Sequence, residues 1–344
     1  MLDLEKIKKI DKSSMYAVYD KWPQIANDAF HSELEQIEFK NIDNIIFAGM
    51  GGSGSIGDII TSILSKTEIH SSSIKGYLLP KTVNKNSLVV ITSVSGNTVE
   101  VINILETAFK KNIKLICFSS GGIIKEFCKR NKIIHIHIEK IHSPRASFCR
   151  FLYSIIKILQ PNLPIKNEDV LVSISELKKL GEKINSSNIS DINPSLTLAK
   201  WMSDIPMIYY PWGLQSAAIR FKNSLQENAK MHAMAEDVLE ASHNGIVAWE
   251  KPSKIKPILI QGSEDYEKTK ERWKILKEYF DKNNIEFREI ITNQKGILGK
   301  LVYLIYLLDY TSIYRSVLSE IDPTPVNSIE YIKSKLKQKS NNYY

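Results

Sequence analysis

The sequence predicts an α/β protein of two successive doubly wound units, each a parallel sheet sandwiched by helices, plus a C-terminal helix. Three observations carry this expectation. Short apolar runs alternate with helical patterns of ten or so residues along the first half, which implies βαβ units and a parallel sheet. A second series of the same kind begins after residue 200. The strand–glycine–serine–helix order of residues 205–220 loosely echoes residues 44–60, a weak internal similarity that points to duplication.

The elements follow in order. Residues 44–48 (NIIFA) form the first apolar run, followed by glycines and a helical pattern from about 56 to 64. Strands are expected at 75–79 (KGYLL) and 88–92 (LVVIT), each bounded by turn residues. A helix over 99–110 leads to a strand at 114–118 (KLICF), another helix, and a fifth strand at 133–138 (IIHIHI). Pro161, Pro164 and the polar stretch 185–193 loosen the middle of the chain, where the junction is expected. Beyond it, 205–210 (IPMIYY) reads as a strand, 214–228 as a helix and 257–261 (PILIQ) as a strand. Residues 265–282 read as a helix, 285–291 as a strand, 299–318 as a long helix and 326–337 as an amphipathic helical tail. The expected division is therefore 1–155, 156–318 and a tail of 319–344.

Composition excludes several function classes. A chain of 344 residues, 43% hydrophobic and 24% charged, is long enough for about two domains with cores of their own. Its three cysteines, Cys117, Cys128 and Cys149, show no CxxC pairing, which argues against a disulfide scaffold or a thiolate zinc site. The start, MLDLEKIKKIDK, is too charged for a secretory signal. The longest apolar stretch, 301–308, falls short of the roughly 20 residues of a membrane helix, so a soluble cytoplasmic protein is expected. The net charge of +8 comes from scattered lysines, which favour solubility and attract anionic ligands such as phosphate esters. No focused basic stripe or recognisable module points to nucleic acid.

Two loops could carry chemistry. Gly49, Gly51 and Gly54 in GMGGSG formally match GxGxxG, but no acidic residue closes the second strand for a ribose, and a Walker lysine is missing. What remains is a cradle of backbone N–H groups, Gly52 included, plus the Ser53 hydroxyl at a helix N-terminus, which suits a phosphomonoester. A glycine-rich turn without a ligand is the plainer alternative. The second loop, Ser93-Val94-Ser95-Gly96-Asn97-Thr98, again joins a strand to a helix. Asn97 with Glu100 could be a capping box, but a cap leaves Ser93, Ser95 and Thr98 unexplained together. Three hydroxyls at the carboxyl edge of a parallel sheet can hold phosphate oxygens. Two such loops favour a phosphosugar pocket.

GMGGSG, SVSGNT, SPRASF, QENAK, EASHN and DPTPVNSIEYIK together resemble the bifunctional phosphoglucose/phosphomannose isomerases of the sugar isomerase (SIS) superfamily, over residues 49–333. The first two motifs are shared by many SIS proteins and specify the fold; the others belong to the isomerase branch. Val94 departs from a common aromatic, and Gly245 from a common acidic residue.

The resemblance implies two SIS-type domains and interconversion of glucose 6-phosphate, and mannose 6-phosphate as well, with fructose 6-phosphate through an enediolate. It implies no metal and no other cofactor, and a homodimer with shared active sites. Glu227 matches the family's base, a role that wants partial burial; on pattern alone it is an ordinary partner for Lys230 on a helix. Ser143-Pro144 reads as an N-cap and first helical position, which puts Arg145 in a first turn, where a cation is unfavourable without an anionic partner. The family assigns this arginine to the enediolate. His243 matches the ring-opening histidine, contributed by the neighbouring subunit, and Lys333 the lysine at the ring oxygen. Thr324 falls near the end of the site where C2 epimers are told apart. Two other readings stand beside this one: a sugar-phosphate-sensing SIS module without catalysis, and the isomerase half of a glucosamine-6-phosphate synthase. A sensor would have no use for Glu227, Arg145 and His243 together.

Overall fold

The computed structural model describes residues 2–341. The chain opens with three short helices, α1 (Leu4–Ile10), α2 (Met15–Asp20) and α3 (Trp22–Phe30). A first sheet region follows: β1 (Asn44–Ala48), α4 (Gly51–Leu64), β2 (His70–Ile74), β3 (Ser87–Ser93), α5 (Val99–Lys110), β4 (Lys114–Ser119), α6 (Gly122–Asn131) and β5 (Ile134–His137). Helices α7 (Phe148–Leu159), α8 (Asn167–Ile184) and α9 (Pro194–Trp201) lead to β6 (Pro206–Tyr210), α10 (Gln215–Asn228) and β7 (Met234–Asp237). The chain continues through α11 (Val238–Ala241), β8 (Lys256–Gly262), α12 (Glu267–Lys282), β9 (Arg288–Thr292), α13 (Ile297–Leu318) and α14 (Asn327–Asn341).

All strand pairs are parallel, in the orders β2-β1-β3-β4-β5 and β7-β6-β8-β9. The second order repeats the first four strands of the first, so the duplication echoed by the sequence is present in the topology. In the first sheet the chain runs from β1 outward to β2, then returns to β3 on the other side of β1. That reversal opens a crevice at the carboxyl ends of β1 and β3, where ligands of open α/β sheets bind.

Two strands lie outside the sequence expectation for a shared reason. The second strand is the half-exposed HSSSI of β2, not KGYLL, in which Leu78 is 80% exposed. β7 (MAED) was not expected as a strand at all. Both are edge strands, buried on neither face strongly enough to demand an apolar run. α4 also starts at Gly51, about a turn before its apolar pattern begins, because the glycines themselves are the first helical residues.

The core runs through the centre of the molecule. α13 carries fully buried Leu301, Leu304, Tyr306, Leu308, Tyr310 and Tyr314 and packs on α8, α9 and α10. By length and composition alone this 22-residue helix could cross a bilayer, unlike the shorter apolar stretch read from the sequence. It is a core helix instead, most of it buried inside the protein. Its one acidic side chain, Asp309, is fully buried and pairs with Arg220 of α10 at 2.5 Å. Ser224 donates to the other carboxylate oxygen (2.7 Å), and the Arg220 guanidinium lies 3.8 Å over the Phe148 ring. α4 and α10 pack antiparallel: Ser62 meets Ser216 at one end of the pair, and the other end of α10 reaches the crevice beside β1.

Candidate active site

The first wall of the crevice is the turn from β1 into α4. Met50 precedes the helix without a side-chain cap, and its carbonyl accepts the Ser53 and Gly54 N–H groups. The Gly51 and Gly52 amides have no acceptor among the described residues, as expected of orphan donors in a first helical turn. Ser53 is buried, and its Oγ accepts the Val94 N–H at 3.2 Å, which ties the two sequence-predicted loops together. At Gly52 a Cβ would stand 3.2 Å from Arg145 Cα, so a larger residue there would press on the Ser-Pro-Arg segment.

The second wall is the loop from β3 into α5. Ser93 Oγ lies 2.9 Å from Thr98 Oγ1 and accepts the Gly96 N–H at 3.1 Å. Ser95 is exposed, its Oγ accepting only the Asn97 N–H at 3.3 Å. The N-cap of α5 is Thr98, with no side-chain cap bond, so the capping box read from Asn97 and Glu100 does not form. The Asn97 side chain instead crosses to the next loop, accepting the Ile123 N–H at 3.0 Å. Gly96 has φ +67°, and a Cβ there would overlap the Gly121 carbonyl oxygen. Only glycine fits this contact.

Arg145 projects between these walls and the end of α10. Its segment is not the start of a helix: residues 143–147 form a turn, and α7 begins at Phe148. The conflict with a helix dipole expected from Ser143-Pro144 therefore does not arise. The guanidinium is buried and nearly saturated. Nε donates to Asn228 Oδ1 (2.6 Å), and Nη2 to the carbonyls of Pro323 (2.6 Å) and Thr324 (3.1 Å). Nη1 faces Glu227 Oε2 at 3.4 Å. The Glu227 side chain is 27% exposed, open to the crevice and backed by a cation. Behind it, Asn228 Nδ2 donates to Ser312 of α13 (2.8 Å), and Arg220 donates to the Arg145 carbonyl (3.1 Å).

The sequence reading singled out Glu227 from QENAK but not Asn228 or Lys230. Lys230 Nζ donates to the carbonyls of Glu227 (2.7 Å), Pro323 (3.2 Å) and Asp322 (3.3 Å). Burial, followed by the nearby Arg145 charge, pulls this ammonium below a lysine's ordinary pKa. Thr324 Oγ1 is buried without a hydrogen-bond partner.

A chain of contacts links the site residues: Gly52 packs on Arg145, Ser53 bonds the loop that carries Ser93, Ser95 and Thr98, and Arg145 pairs with Glu227. The structure does not bring His243 or Lys333 to them by any hydrogen bond or ion pair among the described residues. His243 is exposed on the turn after α11, its N–H donating to Glu240 O at 2.9 Å. Lys333 is exposed on α14, beside Tyr331 and Ile332, which are 64% and 58% exposed. Next to His243, the space a Cβ would take at Gly245 is filled by the Glu236 carboxylate, 2.5 Å away. Burial, then the charges of Glu240 and Asp237, push that carboxyl's pKa up.

Residues 191–336 match the family described as bacterial phospho-glucose isomerase C-terminal SIS domain. The chain is 30% identical over 314 residues to the bifunctional phosphoglucose/phosphomannose isomerase of Caldicellulosiruptor bescii, covering 88% of this chain and 92% of that protein. It is 28% identical to the protein of the same name from Aquifex aeolicus, covering 86% and 90%. Among solved structures, a hypothetical protein from Thermus thermophilus shares the fold, with a TM-score of 0.74 and 12% identity, over 97% of this chain and 94% of that one.

Proposed function

The chain belongs to the bifunctional phosphoglucose/phosphomannose isomerase family, and on that premise we propose that it interconverts glucose 6-phosphate, and mannose 6-phosphate too, with fructose 6-phosphate at this crevice. The observation that carries the reading is the pairing of Glu227 with Arg145 beside two hydroxyl-bearing loops at the sheet's switch point. Aldose–ketose isomerisation moves a proton between C1 and C2. It needs a carboxylate to carry that proton and positive charge where the enediolate oxygens develop.

Glu227 is the base: partly exposed, beside the Arg145 guanidinium and held at the end of a packed helix. Arg145 Nη1 is the guanidinium nitrogen not committed to Asn228 or a backbone carbonyl, so its protons serve the enediolate oxygen. A donor fixed in place before the charge appears stabilises it without reorganisation. Ser53, Ser95 and Thr98 bind the phosphate, assisted by Ser93 and the open Gly52 amide. The partner subunit's His243 accepts the proton from the C1 hydroxyl on ring opening, and Lys333 delivers one to the ring oxygen. The exposure of His243 is what a group meeting the substrate across a two-fold interface would show in a single chain. The unpartnered Thr324 hydroxyl faces the decision between epimers, since glucose and mannose phosphates share one planar enediolate. A division at 1–155, 156–318 and 319–344 and a cytoplasmic setting belong to the same proposal.

A coupled assay of fructose 6-phosphate formation from each aldose phosphate, with EDTA present, tests the reading. Turnover of both is expected. Turnover of glucose 6-phosphate alone removes the second activity, and turnover of neither favours the sugar-phosphate sensor.

A further inference from the structure

Lys230 occupies a backbone position that chemistry alone would give to another residue. It follows the last residues of α10 with φ +52°, the left-handed conformation in which helices ordinarily place glycine. A side chain kept at such a place points to a use for that side chain. Its ammonium spans two segments: from α10 it takes the Glu227 carbonyl (2.7 Å) and the Asn228 carbonyl (3.4 Å). From the loop after α13 it takes the Asp322 and Pro323 carbonyls (3.3 and 3.2 Å). No carboxylate forms an ion pair with it within 4 Å among the described residues.

The same loop is held from the other side by Arg145, whose Nη2 binds the Pro323 and Thr324 carbonyls. The two cations share the Pro323 oxygen and together take three consecutive carbonyls. Loop 322–324 therefore has little freedom of its own: its place is set by Lys230 and Arg145. Conversely, without Lys230 the Glu227 end of α10 and loop 322–324 lose this direct link. Arg145 would then hold the loop alone while also facing the substrate.

Resting on the isomerase reading, we propose that Lys230 is a positioning residue for the reaction, a tether that fixes loop 322–324 against the carbonyl of the catalytic base. Its job is geometric, so its loss is expected to lower kcat more than it raises KM.

Three variants separate the tether from the backbone. Lys230→Gly fits the left-handed backbone and removes the ammonium. Lys230→Met keeps the stem and the strain but removes the charge, and Lys230→Arg keeps a charge. With KM for glucose 6-phosphate little changed, the Gly and Met variants should each lose about tenfold or more in kcat. Amide hydrogen exchange across residues 321–326 should rise in both, and Lys230→Arg should recover most of the rate. Full activity in Lys230→Gly, or a loss confined to Lys230→Met, would assign the lysine to the backbone and overturn the tether. A wild-type protein inactive on both aldose phosphates would instead sink the isomerase reading itself. The exchange measurement on Lys230→Gly would then judge the tether on its own.

Discussion

Ser93 and Ser95 lie two residues apart in one loop and face opposite demands. Ser93 Oγ is committed internally to Thr98 and the Gly96 N–H, whereas Ser95 is exposed with only a weak local bond. A hydrogen bond to a charged group contributes about 1.5–3 kcal/mol, so Ser95→Ala should raise KM by roughly 10- to 150-fold with Tm nearly unchanged. Ser93→Ala removes a buried Oγ that bonds Thr98 Oγ1 and shares the Gly96 N–H with the Ser93 carbonyl, and should lower Tm as well. Steady-state kinetics beside thermal melts check both, and equal behaviour of the two variants would contradict the division of labour. Both serines were legible in the sequence as hydroxyls at a helix start, but their different roles were not. Which lone pairs a neighbour already uses depends on the fold. The same holds for Arg145, whose acceptors Asn228, Pro323 and Thr324 come from 83 to 179 residues away.

The β3–α5 loop is shaped by its contact with the start of α6. Gly96 at φ +67° and Gly122 at φ +70° let the two loops touch, and Asn97 bridges them. Gly96→Ala adds a left-handed penalty to a direct clash and should cost about 2 kcal/mol or more, measured by denaturant unfolding. A change within error would mean that the loops are free to separate. A buried carboxyl sits at the corner between α1 and α2. Asp11 is buried, with Oδ2 accepting the Tyr16 N–H (2.7 Å) and Oδ1 unpartnered. Burial pushes its pKa above the ordinary 3.8, with the charge of Asp322 adding to the effect. The folded protein then binds this proton more tightly than the unfolded chain, so the stability it gives at low pH is lost as pH rises through the folded pKa. Asp11→Asn has nothing to ionise. Its Tm relative to wild type should improve as pH rises above the ordinary 3.8, and a constant gap would contradict the assignment. Elements with strong apolar periods, such as β3, α5 and α10, were readable to within a residue or two. The polar edge strands β2 and β7 were not, because the neighbours that pair with them supply the information.

At the scale of the whole molecule the crevice is a joint product of both sheet regions. The first gives the hydroxyl loops, and the second gives Glu227 through α10, locked to α13 by the buried Arg220–Asp309 pair. The proposed shared-site homodimer would extend this logic across chains. Glu227→Gln and His243→Ala, each inactive, should regain activity when their dimers are mixed, because one site in a mixed dimer keeps both residues intact. Mixed dimers as inactive as their parents would place His243 outside the shared site. The proposed chemistry turns on Glu227 moving the proton between C1 and C2. Incorporation of solvent deuterium into fructose 6-phosphate and the aldose phosphates, followed by NMR in D2O, reads that step directly. Wild-type protein should exchange the C1/C2 proton readily, and Glu227→Gln should exchange it at least about 10²-fold more slowly while binding the sugar phosphate as before. Exchange by Glu227→Gln at near the wild-type rate would contradict the account.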